Sequence, residues 1–103
     1  MSHIIMALDQ GTTSSRTILF DENGKIVAEA NAALDCQFPQ SGWVEQVPED
    51  IWNSQRQTIE AALSQAKLTM KDISAVGITN QRESTIAWNR NTGDAIGPAI
   101  NWQ

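Results

Sequence analysis

A short polar reversal sets the course of the chain's opening: Asp9-Gln10-Gly11-Thr12-Thr13-Ser14-Ser15-Arg16, held between two apolar runs. Ile4-Ile5-Met6-Ala7-Leu8 before it has the composition of a buried strand, and Thr17-Ile18-Leu19-Phe20 after it predicts a partner strand. The reversal gathers a carboxylate, a glycine free to take positive φ, four consecutive hydroxyl residues and an arginine. Few purely structural turns carry that many hydroxyls.

A polyphosphate bound with magnesium needs many short donors. Backbone N–H groups around a tight glycine turn form an anion-accepting concavity, and the hydroxyls of Thr12, Thr13 and Ser14 add to it. Arg16 supplies a planar cationic fork suited to phosphate oxygens. Asp9, ending the first strand, is placed to hold magnesium through its water shell, because this ion sheds water reluctantly. A solvated hairpin loop with capping hydroxyls explains the same local composition, and composition does not separate the two. A Walker-type loop is excluded, since no Gly-Lys-Ser/Thr step follows and the next element is a strand.

At 103 residues the chain is one domain at most, small for a complete two-substrate enzyme. Seven basic against 12 acidic residues, a formal charge of −5, with no basic cluster, argue against nucleic acid as a partner. The single cysteine, Cys36, makes no internal disulfide and no zinc site by itself, which suggests a reducing compartment. Neither a signal peptide nor a membrane span is expected, and the protein reads as cytoplasmic. His3 is expected to be an exposed terminal residue rather than a ligand.

Asn23-Gly24 predicts a second hairpin tip and Ile26 to Ala32 a third strand, so the chain should open as a three-stranded antiparallel meander. Asp35 to Val47 is expected to be an irregular, packed loop. A helix should start near Pro48, with Glu49 and Asp50 in its first turn, and stop around residue 67. Lys67 and Lys71 fall near its far end. Ile51, Trp52, Ile59, Ala62, Leu63 and Ala66 recur as an apolar stripe that would lie on the sheet, with Trp52 in the core. Ile73 to Thr79 predicts a fourth strand, parallel to one of the first three because a helix precedes it. Ser84 to Trp88 suggests a fifth, and Ala95 to Gln103 a short extended piece.

Asn80-Gln81-Arg82-Glu83 follows the fourth strand, where ligands of open α/β sheets bind. Arg82 and Glu83 can donate to and accept from adjacent hydroxyls of a small polyol. An ordinary surface ion pair accounts for the same residues.

Taken together, Ala7-Leu8-Asp9-Gln10-Gly11-Thr12-Thr13-Ser14-Ser15-Arg16, Ser41-Gly42-Trp43-Val44-Glu45-Gln46, Pro48-Glu49-Asp50-Ile51-Trp52 and Gly77-Ile78-Thr79-Asn80-Gln81-Arg82-Glu83 resemble the N-terminal part of the FGGY carbohydrate kinases, most closely the glycerol kinase branch. The resemblance spans essentially the whole chain. It implies an α/β fold, a partial actin-like or ribonuclease H-like domain, in which residues 1–103 are the truncated N-terminal portion of the first kinase domain. It implies ATP and Mg2+ as cofactors and phosphorylation of glycerol to sn-glycerol 3-phosphate by the intact protein, in glycerol catabolism. The family's catalytic base is expected further along, so the chain by itself should be inactive. By the same resemblance Thr12, Thr13, Ser14 and Arg16 would bind the nucleotide, with Thr12 also near the transferred group. Asp9 would lie on the metal side, and Arg82, Glu83 and Trp102 would bind glycerol. Self-association of the chain is expected, and a homo-oligomer for the intact enzyme. A kinase for another polyol or sugar, and a non-enzymatic ATP-binding module of the actin superfamily, stand as alternatives.

Overall fold

A computed structural model describes residues 3–41, 44–81, 84 and 86–101. The meander forms as expected from β1 (Ile4–Gln10), β2 (Ser14–Phe20) and β3 (Ile26–Ala33). Its second reversal is held by Asp21, whose Oδ1 accepts from the N–H groups of Asn23 and Lys25, with Gly24 at a φ of 82°. β5 (Ile73–Thr79) joins the free side of β1 in parallel, giving the order β3-β2-β1-β5.

Between β3 and β5 runs the helix α1 (Pro48–Ala66), which packs over β2 and β3. Proline stands in its first turn with Glu49 and Asp50, where a missing N–H costs nothing and negative charge meets the positive end of the helix dipole. It ends at Lys67 in the left-handed region, whose N–H and that of Leu68 return to the carbonyls of Ser64 and Leu63. Lys71 lies beyond this cap in a 3₁₀ turn, Met70–Asp72, and is no part of the helix.

The face that α1 turns to the sheet differs from the stripe expected. Its buried residues are Ser54, Gln55, Thr58 and Ala62, whereas Trp52 is 58% exposed and the other stripe residues apart from Ala62 are only half-buried. The reason lies across the interface, where β2 presents Ser15 and Thr17, both wholly buried. Ser54 Oγ donates to Ser15 Oγ at 2.5 Å, and the hydroxyls of Thr17 and Thr58 meet at 2.7 Å. Gln55 Nε2 donates to Arg16 O and to Thr17 Oγ1, each at 3.0 Å. Hydrogen bonds therefore fix the helix through its second and third turns, because buried polar groups are as a rule paired. The apolar core begins beyond them, with Ile4, Met6, Leu19, Ala28 and Ala62 buried together and Ile59, Leu63 and Leu68 against them.

Two further expectations change. The 35–47 loop contains a strand, β4 (Val44–Gln46), which pairs antiparallel with β6 (Ala99–Asn101) in the last stretch of the chain. Gln37 bridges to Glu45 with bonds of 2.7 and 2.8 Å, so this segment satisfies its backbone through distant partners that local turn formers do not reveal. Ser84 to Trp88 forms no strand among the described residues, only a single bridge from Trp88 to Ala95 around the Asn91–Asp94 turn.

Candidate functional site

Asp9 lies near the carboxyl end of β1, exposed, facing Arg16 across one side and Thr79 across the other. The parallel pair therefore delivers Asp9 and the end of β5 to one edge of the sheet, the side on which open α/β sheets take ligands. Arg82, Glu83 and Trp102, expected to hold the polyol, lie outside the described residues. Asn80, which precedes them, is exposed, and Gln81 Oε1 accepts from Ser84 Oγ at 2.9 Å.

The reversal is tighter than the sequence suggested. Strand pairing runs through Gln10 with Ser15, Gly11 N–H donates to Ser14 O at 3.0 Å, and only Thr12 and Thr13 lie between. Gly11 is not among the glycines with positive φ. It is needed for closeness: a Cβ there would stand 3.1 Å from Ser14 O, tighter than ordinary contact. Gln10 closes the inner side, its Nε2 donating to Gly11 O at 3.1 Å and its Oε1 accepting from Ser15 Oγ at 3.0 Å. The hydroxyl run is thereby divided. Ser15 belongs to the α1 interface, while Thr13 and Ser14 are exposed and Thr12 is half-buried at the tip.

The carbonyls of the tip are held from behind. Thr13 O accepts from Leu34 N–H at 2.9 Å and Thr12 O accepts from Gln46 Nε2 at 2.7 Å. Across a trans peptide the carbonyl of one residue and the N–H of the next point opposite ways. The Thr13 N–H is therefore directed away from Gln46, and the Ser14 N–H away from Leu34. The tip combines outward-turned N–H groups with three hydroxyls, a donor set for an anion.

Arg16 is held elsewhere. Its guanidinium pairs with Glu29 of β3 at 3.1 Å, and Glu29 lies opposite Ile18, two residues further from the tip than Asn31, the residue opposite Arg16. Both side chains are about 40% exposed (41% and 38%), so the pair contributes little to stability and can open for a stronger anion. Arg16 Nε is buried with no hydrogen-bond partner among the described residues.

No cluster of three or more metal-ligating side chains occurs among the described residues. One exposed carboxylate, Asp9, beside the donor-rich tip fits the donor set of magnesium, which is commonly held by one or two carboxylates together with substrate phosphates while keeping several waters. Gln46 and Leu34 went unnoticed in the sequence, because they come from a stretch with no periodic signal and meet the tip only through the tertiary fold. No helix among the described residues is long and apolar enough to cross a membrane.

Fold and site together define an α/β unit with a donor-rich hairpin at the carboxyl end of a parallel strand pair. The N-terminal domain of the FGGY family of carbohydrate kinases matches residues 4–103, and the chain belongs to that family. It is 53% identical over its whole length to a glycerol kinase of Paenarthrobacter aurescens, and 58% identical over 96% of its length to one of Ralstonia pickettii. The crystal structure of Plasmodium falciparum glycerol kinase with ADP superposes with a TM-score of 0.85 at 30% identity, covering 98% of this chain and 20% of that one. The chain spans about one fifth (20%) of the length of these curated relatives.

Proposed function

We propose that this chain forms part of the ATP and glycerol site of a kinase that transfers the γ-phosphoryl group of ATP to a terminal hydroxyl of glycerol. The observation that carries the reading is the pairing of Asp9 with Thr79, which brings the donor-rich tip and the run leading to Arg82 and Glu83 to one edge of the sheet. In this reading Thr12, Thr13 and Ser14 bind nucleotide phosphates, Arg16 turns to them from Glu29, and Asp9 holds magnesium through water. Arg82 and Glu83 hydrogen-bond adjacent glycerol hydroxyls, and Trp102 covers the carbon face. The bound metal would neutralise phosphate charge. The protein's own contribution is positioning and charge stabilisation, as in phosphoryl transfer generally. We place the protein in the cytoplasm, in keeping with its lone cysteine.

The test is a chimaera in which residues 1–103 replace the matching fifth of the P. aurescens glycerol kinase. It should phosphorylate glycerol in preference to pentuloses. A folded chimaera that binds ATP but prefers a pentulose, or ignores glycerol, would refute the assignment. The 103-residue chain alone is expected to yield no glycerol phosphate in the same coupled assay.

Self-association of the isolated chain belongs to the same proposal. β5 carries seven residues without a charge or proline, Val76 and Ile78 are 46% and 73% exposed, and its outer edge has no strand partner among the described residues. Such an edge templates pairing with another chain. Antiparallel pairing of two β5 strands about Gly77 would set Val76 of each copy against Ile78 of the other. Sedimentation should show dimers or larger species that Val76→Lys shifts to monomer. A monomer at high concentration without the substitution would contradict this.

A further inference from the structure

We propose that Gln46 is a positioning residue for the phosphate-binding tip: by holding the Thr12 carbonyl from behind, its side chain sets the direction in which the Thr13 N–H meets an anion. This rests on the phosphate-binding reading above and adds to it a residue from a distant segment. Gln46 is wholly buried, and its Nε2 donates to Thr12 O at 2.7 Å and to Cys36 Sγ at 3.3 Å. β4 keeps it there through both neighbours, Gln37 bridging Glu45 on one side and β6 pairing Gln46 with Ala99 on the other.

The consequence follows from peptide planarity. Thr12 C=O and Thr13 N–H belong to one rigid unit, so tying the oxygen inward turns the hydrogen outward. Thr13 O is tied to Leu34 N–H in the same sense, which orients Ser14 N–H. A two-residue tip without these ties can rotate its peptide units, and the donors would then have to be ordered when the ligand arrives. Holding them beforehand removes that cost from binding. Leu34 acts through its backbone and the Cys36 thiol reaches Thr12 O only at 3.8 Å, so Gln46 is the shorter of the two side-chain ties and the one to substitute.

ATP with Mg2+ is the probe, titrated into the isotope-labelled chain while the amide signals of Thr12, Thr13 and Ser14 are followed. Gln46→Leu removes the nearer donor at nearly constant volume, leaving Thr12 O only the Cys36 thiol at 3.8 Å, and should weaken binding about tenfold, the order expected when a buried acceptor loses a good hydrogen bond. The amide signals of β2 and β3 check that the variant stays folded. Gln46→Glu keeps the shape and supplies a second readout. Protonated, its carboxyl donates to Thr12 O; ionised, it only accepts. Its affinity relative to the unsubstituted chain at the same pH should therefore be near normal in acid and fall as the carboxyl ionises. A folded Gln46→Leu chain with unchanged affinity, or a Gln46→Glu chain whose relative affinity ignores pH, overturns the positioning role and leaves the phosphate reading standing. An unsubstituted chain whose tip amides do not respond to ATP with Mg2+ overturns both.

Discussion

Asp9→Ala in the chimaera should lower kcat by about 10–100-fold, the usual loss when a group that orients a metal through its bound shell is removed. Asp9 is exposed at the sheet edge and sits in no buried network, so the substitution should leave the urea midpoint nearly unchanged. The expected signature is a raised Mg2+ concentration for half-maximal rate, with the glycerol KM little altered. A variant that loses stability in step with activity would show Asp9 to be structural. Unchanged Mg2+ dependence would remove it from the metal side of the site. The neighbouring register makes the test sharp, because Asp9 faces Arg16 and Thr79 and is exposed among the described residues.

Leu19→Ala should produce the largest loss of stability. Leu19 is completely buried among Ile4, Met6, Ala28 and Ala62, where β2 meets its neighbours beneath α1. Truncating a core leucine costs about 2–5 kcal/mol, transfer and cavity combined. A domain of this size has only about 5–15 kcal/mol in hand. The midpoint of urea unfolding should fall steeply, and nucleotide binding should be lost only as the unfolded fraction rises. A change below about 1 kcal/mol would mean that the core collapses around the gap, contrary to the close packing of protein interiors.

These outcomes draw on different layers of the molecule, and the layers were not equally legible. The two hairpins could be seen in the sequence because each is local: Asn23-Gly24 supplies the positive φ of the second, and the glycine and hydroxyl cluster marks the first. The limits of α1 were legible for a similar reason, with Pro48 at its start and a stop at residue 67. The parallel placement of β5 followed from the intervening helix alone.

The helix face was not legible, because apolar spacing along α1 carries no sign of the hydroxyls that β2 offers beneath it. Trp52 has the spacing of a core residue, yet the sheet beneath its turn is occupied by the hydrogen-bonded group around Ser15 and Thr17. β4 was invisible because three residues carry no period of their own, and their partners lie at Gln37 and at Ala99–Asn101. Gly11 illustrates a subtler case. The position was recognised, but close approach to Ser14 O, rather than positive φ, is the reason for it.

From its residues alone the chain determined where it reverses, where its helix begins and ends, and to which family it belongs. All of these depend on neighbours within a few positions. Only the folded molecule decided that Asp9 stands beside Thr79, that Arg16 is turned toward Glu29, and that Gln46 reaches the Thr12 carbonyl. Each of those joins residues separated by at least a strand's length, and strand register and helix seating, which local propensity does not encode, set the distances between them.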